Sequence, residues 1–402
     1  MGKKQKKEHL VLYKLLFTIG ILVAYFVGKS LPLHGVDVSV YAEQGITAEA
    51  LLRQTISGDI YRCSLFALGI SPFMISSVLV QILSAFRGSE ARSRVSPRKM
   101  NKITLALTLL FAILLAVVQV QKLSFTVNGA YELMAARMIA VVEMVAGAMM
   151  IMWLSSRNKK YGIGGQSALI LINVADGIIT TIKGQSFSEL AIPLLVAFMA
   201  MTVMAILENT EKRIPVQRIS IHNIYADKNY LAIKMNPIGV MPAMFSMAFF
   251  MIPQLVVSVM LMVLPNQPEL LWLQDNFAVT KPVGIIVYIV ILYLLTVGFS
   301  RVFVNPGELT DQFLKSGDSI QNVHAGKETK KYLSRTITGL AMFSATMMSI
   351  CLGFPLFLQL TGNLEGSFAA LPTSVMMLTG LICNLGREIM AIKHLGAYKP
   401  FI

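Results

Sequence analysis

The amino-acid sequence predicts an all-α polytopic membrane protein with ten transmembrane helices. Hydrophobic residues make up 55% of the 402 residues and charged residues only 14%, whereas about a quarter of the residues of a soluble domain are charged. The mean hydropathy is +0.65. A helix needs about 20 apolar residues to cross a bilayer. Ten stretches approach or exceed this length, at residues 10–31, 64–86, 103–121, 134–155, 167–182, 190–208, 237–264, 284–304, 336–361 and 372–391.

The basic residues predict how these spans are oriented. With the N-terminus inside the cell, 26 of the 35 Lys and Arg residues lie in inside segments and five in outside segments. Because basic loops stay in the cytoplasm, both termini are predicted to be cytoplasmic. The net charge of +14 therefore reports topology, and nucleic-acid binding is the poorer interpretation of it. The basic N-terminus lacks an A-x-A-like cleavage site, so the stretch after it is predicted to be the first span and not a signal peptide.

An internal repeat divides the ten spans into two halves of five. The second span carries the pattern G-x-x-P-x-M at residues 69–74, and the seventh span carries it at residues 239–244. Because five is odd, the halves 1–189 and 190–402 are predicted to have opposite orientations in the membrane. Helices interrupted at matching places of inverted halves indicate a functional site near the middle of the membrane. One such break would more often reflect packing, but two in register favour function.

No enzymatic chemistry competes with this interpretation. The sequence contains no H-E-x-x-H, G-x-S-x-G or P-loop pattern. Its five His and three Cys residues are dispersed without metal-ligand spacing, so no catalytic residue, metal site or cofactor is predicted. Asp176 and Asn173, three residues apart in the fifth span, leave an alternative open: an ion-coupled secondary transporter with Asp176 as the coupling carboxylate. In the other interpretation, Asp176 points into the helix bundle and is satisfied there.

Five segments, in order along nearly the whole chain, carry a resemblance to a known family. The first is LFALGISPFMISSVLVQIL at residues 65–83. The others are MWLSSRNKKYGIGGQS (152–167), KRIPVQ (212–217), NPIGVMPAMF (236–245) and NPGELTDQFLKSGDSIQNVHAGKETKKYLSR (305–335). Any one of these matches is weak, but five in order are specific. Together they resemble the SecY family, the central subunit of the bacterial Sec protein-conducting channel.

The resemblance implies two inverted halves that close like a clamshell around an hourglass pore, with a lateral gate to lipid between the second and seventh spans. An apolar ring at the waist would block ions by dewetting, and unbranched Met side chains would deform around a passing polypeptide. Ser167 departs from the aliphatic residue that the family usually has at its position. The implied ring residues are Ile70, Met74, Ser167, Leu171, Met244 and Met377. The implied gate residues are Gly69, Pro72, Gln81, Asn236, Gly239 and Pro242.

The resemblance also implies a plug at about residues 48–62, before the second span, which would fill the outer funnel at rest. Its own sequence fits an ordinary amphipathic outer loop equally well. Gln81 and Asn236 match polar positions beside the lateral gate, but hydrogen bonds between packed helices would have the same sequence signal. The residues assigned to the plug are Leu51, Leu52, Ile56 and Gly58.

Two long basic loops, 209–236 and 305–335, carry the partner prediction. The resemblance implies that they dock a SecA-type motor ATPase, although composition alone would also fit contact with anionic lipids. His324 stands where the family usually has an Arg, and a His cannot bind a carboxylate through two parallel hydrogen bonds. The implied docking residues are Lys212, Arg213, Arg218, His324, Gly326, Lys327, Lys330 and Lys331.

The exchange at His324, a first loop shorter than usual and a short tail after the tenth span resemble an accessory branch of the family in Gram-positive bacteria. That branch exports large serine-rich surface glycoproteins with an accessory SecA. The chain is therefore expected to be a channel in the cell membrane for unfolded secretory precursors, driven by its motor and without an active site of its own. SecE-like and SecG-like small membrane subunits are implied as further partners, and nucleic acid is not.

Overall fold

The computed structural model is mainly helical, and it describes residues 2–37, 63–86, 96–121, 123–126, 129–183, 187–218, 229–264, 267–361 and 368–394. The helices of this part of the chain are α1 (Gly2–Ser30), α2 (Ser71–Phe86), α3 (Pro97–Val120), α4 (Ala130–Tyr161), α5 (Gln166–Ile182), α6 (Phe187–Asn209), α7 (Met241–Val263), α8 (Pro268–Asn276), α9 (Pro282–Phe303), α10 (Pro306–Ser316), α11 (Lys327–Leu360) and α12 (Leu371–His394). Ten of them correspond to the ten predicted spans. The short helices α8 and α10 lie between predicted spans and were not predicted.

Eight helices of the described residues are long and apolar enough to cross a membrane. The other two spanning candidates, α2 and α5, are apolar but have only 16 and 17 residues. The predicted second span begins at residue 64, but α2 begins at Ser71 and residues 63–70 form turns. That boundary was wrong because the apolar turn segment, which includes the buried Phe66 and Ile70, is covered by protein. Non-helical backbone at membrane depth is tolerated where protein buries it.

The repeated G-x-x-P-x-M pattern marks the start of a helix in both copies and does not interrupt one. Gly69 and Gly239 have φ angles of 53° and 71°, which only glycine adopts without strain. Pro72 and Pro242 are each the second residue of their helix, α2 and α7. Proline suits this position because the first backbone N–H groups of a helix have no helical partner. The prediction of a break at midspan is therefore corrected to two matching helix starts.

The spanning helices contact one another in the same pattern in both sets of five. In the first set α2 contacts α3, α3 contacts α4, and α1 contacts both α4 and α5. In the second set, correspondingly, α7 contacts α9, α9 contacts α11, and α6 contacts both α11 and α12. The two sets meet where α2 contacts α7 and where α5 contacts α12. The boundary between residues 189 and 190 remains a prediction.

Two hydrophobic clusters organise the described residues that matter for the site. The larger cluster takes side chains from all ten spanning helices. The second lies beneath a three-stranded sheet and contains Ile214, Ile233, Ile320, Leu333 and Ile337. Because Leu333 and Ile337 belong to α11, the sheet is fixed to the start of a spanning helix.

The sheet joins the two long loops that the sequence analysis treated separately. Its strands are β1 (Glu211–Arg218), β2 (Tyr230–Lys234) and β3 (Asp318–Ile320), in the order β2-β1-β3. The antiparallel register pairs Arg213 with Ala232 and Gln217 with Ser319. An all-α fold was predicted, so this small sheet is an addition to it.

Candidate functional site

The residues predicted to form the pore ring lie mostly in one apolar cluster. Ile70, Met74, Met244 and Met377 are all at most 2% exposed and belong to the larger hydrophobic cluster. Leu171 is half-buried and packs against the same cluster. These side chains come from the start of α2, from α5, from α7 and from α12, which are the helices through which the two sets of five meet. Five of the six predicted ring residues therefore belong to, or pack against, the apolar core that the two sets of helices share.

Ser167 differs from the other five predicted ring residues. It is the second residue of α5, and its backbone N–H donates to the Gly164 carbonyl oxygen at 2.8 Å. It is half-buried. Leu171 lies one helical turn further along α5 and packs against the larger hydrophobic cluster. The ring assignment, including that of Ser167, remains a prediction.

The start of each repeated helix carries a serine that the sequence analysis missed. Ser76 and Ser246 occupy equivalent positions, two residues after Met74 and Met244, and both are fully buried. The Ser76 hydroxyl donates to the Pro72 carbonyl oxygen at 2.7 Å, and the Ser246 hydroxyl donates to the Ala243 carbonyl oxygen at 2.8 Å. Each hydroxyl is therefore satisfied within its own helix. Extending the repeat by two residues, to G-x-x-P-x-M-x-S, would have found both.

The two polar residues assigned to the lateral gate carry unpaired oxygens. Asn236 is fully buried, and its amide nitrogen donates to the Gly239 carbonyl oxygen at 2.9 Å. The Asn236 Oδ1 and Gln81 Oε1 atoms are buried without a hydrogen-bond partner among the described residues. Because a buried acceptor without a donor costs free energy, both sites favour an incoming donor. Gln81 lies on α2, and Asn236 lies in the segment that leads into α7.

The carboxylate on which the transporter alternative depends is paired inside the bundle. Asp176 Oδ2 lies 2.6 Å from Lys29 Nζ, and the Lys29 side chain is only 2% exposed. One turn away, the Tyr25 hydroxyl donates to Asn173 Oδ1 at 2.9 Å. A coupling cation would have to displace Lys29. The contacts therefore favour the second interpretation of Asp176, a polar tie between α1 and α5.

The sheet brings the chain segments that carry the predicted docking residues into one region, because its strands come from both basic loops. Lys212 and Arg213 are exposed on β1, and His324 is exposed shortly after β3. Gly326, with a φ of 94°, caps the start of α11. The first two turns of this helix expose Lys327, Lys330 and Lys331. Arg218 ends β1 opposite Asp318.

Arg213 is partly engaged within the sheet. Its Nε donates to Glu211 Oε1 at 2.8 Å, and its guanidinium lies 4.8 Å from the centre of the Tyr230 ring. The hydrogen bond to the Glu211 carboxylate raises the pKa of Arg213. The side chain is still 62% exposed, so a partner reaches it.

Two further predictions concern other parts of the chain. The plug residues Leu51, Leu52, Ile56 and Gly58 lie outside the described residues. Within the described residues, the structure has no group of three or more His, Cys, Asp and Glu side chains that could hold a metal ion.

These features define a multi-pass membrane protein with two related sets of five helices that share one large apolar core. The chain belongs to the SecY family, whose family model matches residues 64–385. This is a family of protein-translocation channels and not a known enzyme family.

The chain is similar over nearly its full length to curated relatives named accessory Sec system protein translocase subunit SecY2. The relative from Leuconostoc gelidum subsp. gasicomitatum is 29% identical, with 97% of each chain covered. The relative from Streptococcus agalactiae serotype Ia is 28% identical over 96% of this chain and 95% of its own. The relative from Streptococcus parasanguinis is 28% identical over 100% and 99%. These names imply partners of the Sec translocase type.

Solved structures share the fold. A protein-conducting channel superposes with a TM-score of 0.70 at 16% identity, covering 97% of this chain and 95% of its own. Sec61 in a canine ribosome-channel complex from the endoplasmic reticulum superposes with a TM-score of 0.65 at 15% identity over the same shares. With the sequence relatives, these findings support a channel subunit of a Sec-type translocase.

Proposed function

We propose that this chain is the pore-forming subunit of an accessory Sec translocase that exports unfolded secretory proteins across the cell membrane of a Gram-positive bacterium. The observation that carries the proposal is that five of the predicted ring residues, which lie on or beside α2, α5, α7 and α12, belong to or pack against one apolar cluster. In a SecY-family fold, a seal formed by these residues would lie across the route between the two sets of helices.

The chemistry of the seal suits a protein channel. Ile70, Met74, Leu171, Met244 and Met377 present only hydrocarbon and thioether groups, so water and ions gain no hydrogen bond in the closed state. Methionine is unbranched and adapts its shape to irregular neighbours. The ring would therefore close around an extended polypeptide of varied width without leaving a path for ions.

The gate would open between α2 and α7. The buried hydroxyls of Ser76 and Ser246 bond within their own helices, so separating the helices breaks no hydrogen bond of these groups. The unpaired oxygens of Gln81 and Asn236 would accept hydrogen bonds from a signal helix in the gate. Separation of α2 and α7 therefore exposes mainly apolar surface, which the signal helix or lipid would cover.

A SecA-type motor would supply the energy from the cytoplasmic side, since the sequence has no nucleotide-binding loop. The exposed basic residues on β1 and at the start of α11 would receive it, together with His324. The His in place of the family's Arg fits a partner other than the housekeeping motor. The relatives' names place them in an accessory Sec system, which supports an accessory SecA as the motor. Large serine-rich surface glycoproteins as the cargo follow from the family resemblance.

The remaining parts of the proposal concern the setting of the channel. Both termini would be cytoplasmic, with the excess of basic residues facing anionic lipids on that side. A SecE-like subunit would clamp the two sets of helices, and a SecG-like subunit would accompany it. The plug, at residues 48–62, would close the outer funnel.

Reconstituted vesicles test the proposal. Vesicles with this chain, its small subunits, the accessory SecA and ATP should take up a serine-rich precursor, and vesicles without the motor should not. A photo-crosslinker at residue 377 should capture the precursor halfway through. Solute uptake driven by an ion gradient without a motor would contradict the channel. Export without capture at residue 377 would contradict the ring.

A further inference from the structure

A buried charge lies beside the start of α7, and neither the sequence analysis nor the family resemblance drew attention to it. Glu208, at the end of α6, has a side chain with no exposed surface. Its Oε2 atom lies 2.7 Å from Arg387 Nη2 of α12, and the same nitrogen donates to the Glu208 carbonyl oxygen at 2.5 Å. Arg387 is 30% exposed. One arginine thus binds both the carboxylate and the backbone at the end of α6.

The carboxylate lies against the backbone that leads into α7. A Cβ atom added at Gly239 would lie 2.6 Å from Glu208 Oε1 and 3.3 Å from Asn384 Nδ2. This close approach, together with the φ of 71°, requires glycine at position 239. Three helix ends therefore meet at one point: the end of α6, the start of α7 and the last turns of α12.

The charged residues at this meeting point come from three separate elements: Glu208 from α6, Arg387 from α12 and Lys234 from β2. Apart from its contact with Arg387, neither carboxylate oxygen of Glu208 has a hydrogen-bond partner among the described residues. Lys234, at the end of β2, is the second nearby cation. Burial and then Arg387 lower the pKa of Lys234, while Glu208 and Glu211 act in the opposite direction. Without Arg387, Glu208 would be a buried carboxylate with little compensation.

A buried charge pair of this kind seldom adds net stability over apolar side chains, so its value lies in the geometry that it fixes. Here it fixes the position of Gly239, two residues before α7 begins. The Glu208 carboxylate lies in the last turn of α6, where the dipole of that helix disfavours a negative charge, and beside the start of α7, where the dipole of α7 favours one. The fixed position of Gly239 and the interaction with the α7 dipole both act on one of the two helices between which the gate opens.

We infer that Glu208 and Arg387 are positioning residues that hold the start of α7 against α6 and α12, and that they thereby set how readily the gate between α2 and α7 opens. The inference rests on the proposed function, because it assumes that α7 is a gate helix. Loss of the Glu208 charge releases Gly239 and shifts the balance toward the open gate.

The adjacent residue on α12 supplies a matched control. Glu388 is exposed, and its Oε2 accepts a hydrogen bond from the Gly164 N–H at 3.0 Å. Glu388→Gln removes one carboxylate charge from the same turn of α12 but keeps an oxygen that accepts this hydrogen bond. It does not touch the approach to α7, so its gating should match that of the unaltered chain.

The experiment compares export of two precursors in the reconstituted complex, one with its full signal and one with a weakened signal. Glu208→Gln should raise the ratio of weakened-signal to full-signal export by about tenfold and increase resting ion conductance. Arg387→Lys should change both in the same direction but by less. A residue needed only for folding would lower both exports together and leave their ratio unchanged.

The outcomes distinguish a failure of the proposed function from a failure of the inference on Glu208 and Arg387. If the unaltered complex does not export either precursor, the proposed function fails. If it exports and both folded variants keep the ratio of the unaltered chain, the inference is overturned. Should Glu208→Gln fail to assemble, which elution of the purified complex shows, Arg387→Lys and Glu208→Asp decide the question by the same ratio.

Discussion

The two copies of G-x-x-P-x-M start their helices alike but are held in place differently. Residues 63–70, which lead into α2, are wedged between α1 and α4. A Cβ atom at Gly28 would overlap the Phe66 ring, and one at Gly147 would overlap the Leu65 carbonyl oxygen. The Leu33 N–H also donates to the Cys63 carbonyl oxygen at 2.7 Å. The first copy is therefore fixed by close steric contact and backbone hydrogen bonds.

The second copy is held by polar groups in addition to close packing, since a Cβ atom added at Gly380 of α12 would lie 2.6 Å from Val240 Cβ. It follows β2, its Gly239 lies against the Glu208 carboxylate, and Asn236 bonds to the Gly239 carbonyl oxygen. Steric contacts between backbones change little with conditions, whereas a charge pair responds to any charge brought near it. The comparison teaches that one sequence pattern specifies a helix start but not how firmly it is anchored. Under the proposed function, α7 is the gate helix that a cytoplasmic partner shifts more easily.

The largest effect is expected at the predicted pore ring, which includes Met74 and Met244, the last residues of the two copies of the repeat. Replacing Met74, Met244 and Met377 together by Ser should turn a sealed resting channel into an ion-conducting one, because polar groups then hold water across the waist. Single-channel recording in planar bilayers measures this. A control triple at the exposed Met134, Met138 and Met150 of α4 should leave the resting conductance unchanged. Unchanged conductance in the first triple would remove the ring assignment.

The steric anchoring of the first copy predicts a large loss of stability for Gly147→Ala. The new methyl group would overlap a backbone oxygen, Leu65 O, which cannot turn away as a side chain can. We expect the free energy of unfolding to fall by about 3 kcal/mol, measured by thermal unfolding in detergent. Gly339→Ala, in α11 with no atom within 4 Å of the new methyl group, is the control and should not destabilise the protein. Equal stability of the two variants would contradict the wedge.

Asp176→Asn tests the polar tie between α1 and α5. It leaves Lys29, 2% exposed, without its carboxylate. Since Asp176 is itself 22% exposed, the expected loss is about 2 kcal/mol, below the range for a fully buried pair. Denaturation of the purified protein measures this, with the exposed Asp311→Asn as the control. Full stability together with loss of an ion-driven solute uptake would instead support the transporter alternative.

The smallest effect is expected for Gly239→Ala, and it sharpens the comparison most. The left-handed backbone alone should cost about 1–2 kcal/mol of stability. Gly317→Ala is the control, because Gly317 has a φ of 70° and no atom lies within 4 Å of the new methyl group. This variant has the backbone cost in stability without the Glu208 contact. The difference between the two variants in thermal unfolding therefore isolates that contact. Equal losses would show that Glu208 moves aside freely.

The spans could be predicted from the sequence because the bilayer sets their length, and each must be apolar over that length. The start of α2 could not, because Gly69 and Pro72 give the same signal whether they interrupt a helix or begin one. The sheet was missed because β2 and β3 have only five and three residues, although Ile214 and Val216, and then Leu231 and Ile233, alternate as strand residues do. Pro215 in the middle of β1 further obscured the pattern.

Some residues of the candidate site could likewise be predicted from the sequence, and others could not. Met74 and Met244 could be placed in one apolar cluster because the repeat makes them equivalent, and Leu171 followed from the resemblance. The Glu208–Arg387 pair could not be found, because 179 residues separate its members. Nothing within one sequence indicates which of its charges meet inside the fold. The same holds for Lys29 and Asp176.

The sheet that joins the two basic loops has a mechanical consequence. Its hydrophobic underside includes Leu333 and Ile337, which lie on α11, a continuous helix of 34 residues and therefore a rod about 50 Å long. A force applied to the sheet would therefore be transmitted along α11. Displacement of the sheet would tilt the part of α11 that precedes Pro355, where proline breaks the helical hydrogen-bond pattern.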